Sequence, residues 1–248
     1  MRNIWTIAKK EFSQNFVSPI AYLVALLFLG VVGLIFIISL LQLSNSGSFA
    51  PPEPPDASGV TGPMAFLLIL AVPALTMRLV ADEVRMGTME LLLTAPLRDY
   101  ELVVGKWLGA LLFMLVLIGI TLIFPLILNV LVTPGIDQTK MMAGYFGIIL
   151  TTAALLGLGV GISALFSNQI AAFFTTLVLF IFLWWLIGAP ANLMPGGGGV
   201  FSYLDMSSQF YNNFNQGTVT LSGIAYFLSL AGLGLFIGST AVEIRRWR

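Results

Sequence analysis

The 248 residues include no cysteine and no histidine, and only 9% of them are charged. Without cysteine there is no disulfide and no thiolate metal site. Without histidine the usual general base and the commonest metal ligand are gone. Soluble domains carry roughly 25% charge, far more than this chain. Hydrophobic residues make up 58%. A soluble fold of this length could not hide so much apolar surface, so lipid is the expected solvent. The zero net charge says little, because the distribution of charge is what orients a membrane protein.

Six apolar runs are long enough to cross a bilayer core, which takes about 20 helical residues. They lie at approximately 20–41, 62–80, 102–130, 141–166, 170–188 and 221–242. Each must be helical, since lipid offers no partner for a free backbone N–H or C=O. The first run starts too late and runs too long for a signal h-region, and no small-residue cleavage site follows it. It is therefore expected to be a retained span. The expectation is an all-α integral membrane protein, with residues 1–248 forming one transmembrane domain.

Six spans put both termini on one side. That side receives Arg2, Lys9, Lys10, Arg78, Arg85, Arg98, Lys106, Arg245, Arg246 and Arg248, leaving only Lys140 of the eleven basic residues for the other. This bias predicts cytoplasmic termini. The proline-rich stretch at 42–61 and the short turn at 133–140 are then external. Residues 167–169 make a tight internal turn. The glycine-rich and aromatic stretch at 189–220 is external, with Phe201, Tyr203, Phe210, Tyr211 and Phe214 suggesting membrane contact through a short re-entrant or interfacial helix.

Two amphipathic segments flank the spans on the internal side. In residues 3–16 an apolar face (Ile4, Trp5, Ile7, Ala8, Phe12, Phe16) opposes Lys9, Lys10, Glu11 and Gln14. This pattern predicts an interfacial helix, with Pro19 marking the turn into the first span. Between spans two and three, Gly87 breaks a helix and Thr88 is a candidate N-cap for the next. Glu90 complements the dipole of that helix, Leu91, Leu92 and Leu93 give it an apolar surface, and Pro96 ends it. Asp99 is a candidate cap for the third span. An ordinary amphipathic loop on the membrane surface accounts for this pattern equally well.

Glu83, Gly87, Thr88, Glu90, Leu92 and Pro96, followed by Gly105 and Lys106, resemble the signature E-x-x-x-G-T-x-E-x-L-L-x-x-P, then G-K, of type-2 ABC transporter permeases. Residues 16–22 are similar to the start of the first span in the GldF-like gliding-motility group of that family. Asp205, Gln209, Phe210, Phe214, Gly217 and the end at Arg245, Arg246 and Trp247 are similar to that group's C-terminal portion. The external loops depart from it.

The resemblance implies a half-transporter in the bacterial cytoplasmic (inner) membrane. It would pair with a second permease, identical or paralogous, above cytosolic ABC ATPase subunits that bind ATP and Mg. Residues 87–96 would be the coupling helix in a groove of the ATPase. Glu83 and Arg85 would make charged rim contacts, and the leucines would be buried anchors. Membrane lipids and an extracellular component are further expected partners, and nucleic acid is not.

The chain itself lacks a phosphate-binding loop, since Gly105 and Lys106 have no glycine loop upstream and no Ser or Thr after them. Lys106 is read as an interfacial anchor. Gly157, Gly159, Gly161 and Ala164 superficially mimic a dinucleotide turn but sit inside a span. Ala153, Gly157 and Gly161 instead form a small-residue packing face. Arg78 and Asn129 are candidates for a substrate pathway, with anchoring or helix–helix hydrogen bonding as the competing role. No acidic residue falls at a span centre, which argues against a proton-coupled carrier. An exporter subunit is the leading reading. A mechanical or assembly subunit without a substrate path is the alternative, and an intramembrane enzyme lacks a catalytic constellation.

Overall fold

The computed structural model describes residues 2–45, 56–89, 97–132, 135–192 and 198–246, and every regular element among them is helical. In chain order these are α1 (Arg2–Asn15), α2 (Pro19–Asn45), α3 (Ser58–Thr76), α4 (Ala81–Arg85), α5 (Asp99–Thr121) and α6 (Ile123–Leu131). Then come α7 (Gln138–Leu165), α8 (Gln169–Ile181) with a π-helical turn at Phe182–Leu186, α9 (Gly198–Leu204), α10 (Met206–Tyr211) and α11 (Leu221–Arg246). Six helical stretches are long and apolar enough to cross a membrane: Pro19–Leu41, Ser58–Arg85, Asp99–Leu131, Gln138–Leu165, Gln169–Leu186 and Leu221–Arg246. Each coincides with one of the six expected runs. The protein is an all-α, multi-pass membrane protein.

The fourth span is the centre of the bundle. In its most apolar window 89% of residues are buried, against 22% for the first and fifth spans. Its glycines explain how neighbours come so close. A Cβ on Gly161 would lie 2.3 Å from the Gly234 carbonyl oxygen of α11, and one on Gly157 would lie 2.8 Å from that of Ala231. Backbone therefore meets backbone at this crossing, the dispersion-driven contact that small residues allow between spans.

Two spans are interrupted, and in both the freed backbone groups find partners. Pro125 has no N–H for the carbonyl of Thr121, and α5 gives way to α6 at Leu122. The Tyr145 hydroxyl donates to that Thr121 carbonyl at 3.0 Å. The second span breaks between α3 and α4, where the amides of Val80 and Ala81 donate to Ser163 Oγ at 3.2 and 3.1 Å. Ser163 is buried on the fourth span. Inside a membrane such substitutes are what make a broken helix tolerable.

The third span has 33 residues, or about 50 Å at 1.5 Å per residue. A hydrocarbon core is about 30 Å thick, so the span projects beyond it. α1 packs alongside the first turns of this span. Gly105 and Gly109 make that possible, since Cβ atoms there would fall 2.7 Å from Ile7 Cβ and 2.5 Å from Glu11 Cβ. Further along, Phe16 meets Phe113 edge-on at 5.3 Å between ring centroids.

α1 departs from the expected two-faced helix. Its inward face carries Ala8, Glu11 and Asn15, all buried, while Trp5 and Phe16 are exposed. The expected apolar and polar faces are therefore partly exchanged, because the third span presents a cation to α1.

The segment before the sixth span also differs from expectation. Phe210 and Phe214 are fully buried instead of meeting lipid. Phe214 packs against Gly147, where a Cβ would lie 2.4 Å from its own Cβ, and against Phe227. Tyr211 donates to the Gly62 carbonyl at 3.0 Å. On this face, opposite the termini, Lys140 Nζ also binds Asp56 Oδ2 at 2.6 Å.

Candidate functional site

The face that carries the termini is where the charged residues converge. Lys106, in the second turn of α5, is 1% exposed. Its ammonium donates to Glu11 Oε1 at 2.6 Å and to Glu83 Oε1 at 2.7 Å. One cation thus joins α1, α4 and the third span. Taking these groups out of water costs several kcal/mol per ion, which close and well-directed pairing offsets. The geometry comes from the sequence around Lys106, since Gly105 and Gly109 bring the α1 backbone close enough for Glu11 to reach it.

Two buried polar atoms beside this cluster have no hydrogen-bond partner, Glu83 Oε2 and Asn15 Nδ2. Both residues line a cleft of ≈50 Å³ together with Gln14, Arg78 and Asp82. A buried water needs roughly 10–15 Å³ of such space, so water can satisfy both atoms.

The rest of this face is stitched in the same way. Arg246 Nη2 lies 2.8 Å from Asp99 Oδ1, tying the end of the sixth span to the start of the third. Arg245 donates to the carbonyls of Ala164 and Leu165 at 3.3 and 3.4 Å, covering the C-terminal end of the fourth span. Glu101 Oε2 accepts from the Arg98 amide and from Asn3, each at 3.2 Å. Asp99 is the first residue of α5, with Arg98 in the N-cap position expected for Asp99. Gln169 on the 167–169 turn donates to Asp82 Oδ1, and Arg85 pairs with Asp82 at 3.2 Å.

Several expected site residues occupy other positions than their sequence context suggests. Lys106 does not reach outward as an interfacial anchor, because both its partners lie inside the protein. Glu83 pairs through Oε1 with the buried Lys106. Arg85 is exposed beside Asp82. Gly87 adopts φ +71° with open space around it, the left-handed conformation in which a helix ends most readily at glycine. The Thr88 hydroxyl donates to the Glu83 carbonyl at 3.3 Å, and the amides that Thr88 would cap lie outside the described residues. Glu90, Leu91, Leu92 and Pro96 lie outside the described residues.

The pathway candidates both have local partners. Arg78 lies in the break between α3 and α4 and donates from Nη1 to Ser18 Oγ at the start of the first span. Asn129 Oδ1 accepts from the Ile136 amide at 3.1 Å and lies 2.9 Å from where a Gly135 Cβ would be, closing the turn between the third and fourth spans. Gly157 and Gly161 sit in the crossing with α11. The Ala153 carbonyl accepts from Trp107 Nε1 at 3.0 Å.

Sequence reasoning missed Glu11, Asn15 and Gly109. One available signal was the four-residue spacing of Gly105 and Gly109 around a lysine, which marks a close helix approach. Among the described residues no three His, Cys, Asp or Glu side chains converge as a metal site. The cluster is suited to transmitting displacement between three helices.

The sequence model of the ABC-2 family transporter proteins matches residues 5–232. No curated protein matches the chain.

Proposed function

Because the chain belongs to the ABC-2 family of transporter proteins, and is thus the membrane-spanning permease subunit of an ABC transporter, we propose that separate cytosolic ATPase subunits drive it as an exporter. In this reading it resides in the bacterial cytoplasmic membrane with both termini inside. It pairs with a second permease, either another copy or a paralogue, and the ATPases carry the ATP and Mg. Residues 87–96 form the coupling helix. Its similarity to the GldF-like group, carried by residues 16–22 and 205–247, is part of the same proposal.

The observation that carries the reading is the Lys106 cluster. The segment proposed to meet the ATPase, residues 87–96, follows α4, and Glu83 of α4 shares a buried cation with α1 and the third span. A push on residues 87–96 would therefore reach three elements of the permease at once. Glu83 is assigned a transmitting role, and Arg85 remains available as a rim contact. Arg78 and Asn129 are assigned to holding helix ends and turns.

The test is purification of the intact complex from its native membrane, with ATPase activity and partner subunits measured in the eluate. A co-purifying ATP-binding subunit supports the reading. Release of an ATPase-free protein under conditions that keep other membrane complexes whole overturns it. The alternative, a mechanical or assembly subunit, uses the same coupling segment. Stimulation of the ATPase by a transported compound separates the two.

A further inference from the structure

On the side of α1 turned away from Lys106, a groove of ≈600 Å³ opens between α1 and the third span. Its lining is mostly apolar, with Leu112, Leu115 and Val116 from the third span and Trp5 and Phe12 from α1. Lys9 and Ser13, both exposed, supply its polar groups. Trp5 is 62% exposed and Val116 40%, so the apolar surface is open to whatever surrounds the protein.

The depth of this groove follows from the helices. Leu112 lies thirteen residues after Asp99, about 20 Å along the span, which brings Leu112 to Val116 toward the hydrocarbon. Lys9 follows Ala8, whose carbonyl oxygen would lie 2.8 Å from a Cβ on Gly109. The ammonium therefore starts one helical turn nearer the surface and can extend to headgroup level along its own methylenes.

Charge selects among lipids. Among the described residues no acidic side chain pairs with Lys9. The acidic residue of α1, Glu11, is turned away and bound to Lys106. The groove lining thus offers one uncompensated cation and a hydroxyl, with no carboxylate to attract a choline or ammonium group.

We propose that this groove is a binding site for an anionic phospholipid, with one acyl chain against Leu112, Leu115 and Val116 and the phosphate held by Lys9 and Ser13. The proposal rests on the chain spanning a membrane and is independent of the ATPase reading.

The experiment uses full-length protein in phosphatidylcholine nanodiscs containing increasing mole fractions of bromo-acyl phosphatidylglycerol or bromo-acyl phosphatidylcholine. The signal is quenching of Trp5 fluorescence, isolated from the other four of the five tryptophans by subtracting Trp5→Phe protein. Phosphatidylglycerol is expected to quench at about fivefold lower mole fraction, the preference of one lysine at an anionic surface. Lys9→Gln abolishes that difference, and Lys10→Gln, outside the groove, preserves it. Equal quenching by both lipids in the wild type overturns the proposal, as does a preference that survives Lys9→Gln. Equal loss in the two variants also overturns it, since that marks general surface charge.

Discussion

Lys106 and Glu11 stand 95 positions apart in the chain, and their charged atoms lie 2.6 Å apart with both residues buried. Glu83 completes the contact from a third element. The pairing ties the N-terminal helix to α4 and to the third span.

Removal of the lysine leaves two carboxylates in a buried site without their cation. Lys106→Ala is expected to destabilise the protein by about 3–5 kcal/mol. Neutralising the whole cluster, with Lys106→Met, Glu11→Gln and Glu83→Gln together, should recover most of that loss. Equilibrium unfolding in detergent decides it. A triple variant no more stable than Lys106→Ala would mean that the charges are not what the site balances.

The crossing of the fourth and sixth spans admits no side chain. Gly161→Ala would place a methyl 2.3 Å from the Gly234 carbonyl oxygen and is expected to cost about 1–3 kcal/mol. Gly232→Ala, with nothing within 4 Å of the new methyl, should be neutral or slightly stabilising. Thermal unfolding of the two variants side by side tests the contact.

Charging the proposed coupling segment should separate association from insertion. Leu92→Glu is expected to weaken ATPase binding by at least about 2 kcal/mol, roughly thirtyfold, with membrane insertion unchanged. Co-purification and membrane fractionation measure the two properties separately. Unimpaired association would remove Leu92 from the docking surface.

On the opposite face, burial raises the Asp56 carboxyl pKa, but hydrogen bonds from Lys140 and Ser58 outweigh it and leave the group below its ordinary 3.8. A carboxylate with a depressed folded pKa stabilises the fold above the ordinary value. It loses that contribution as pH falls through the folded one. Stability should therefore fall more steeply below about pH 4 in the wild type than in Asp56→Asn. Parallel acid-side profiles would show that the Lys140 pair contributes nothing.

The spans were legible because lipid leaves a long apolar run one structure to adopt, and the fixed backbone of Pro19 marked the start of α2. Gly157 and Gly161 could be read as small residues, but their partner helix could not. The site was read less fully. On a helical projection Glu11 shares the polar side of α1 with Lys10 and Gln14, and nothing local distinguishes it from them. Only the neighbouring helix does so, by offering a lysine between two glycines. Phe210 and Phe214 posed the same difficulty, since aromatic side chains near an interface suit lipid and protein equally well. The glycine opposite them, Gly147, is what admits Phe214 to the bundle.

Composition and periodicity thus determined by themselves that this chain is a bundle of membrane helices with its positive charge gathered at one face. Those properties depend on each segment's own exchange with lipid or water. Tertiary structure alone decided which carboxylates meet Lys106, which carbonyl Tyr145 satisfies and which backbone Gly161 touches. Each of these is a pairing between segments far apart in sequence, and its energy exists only once both partners have left the solvent together.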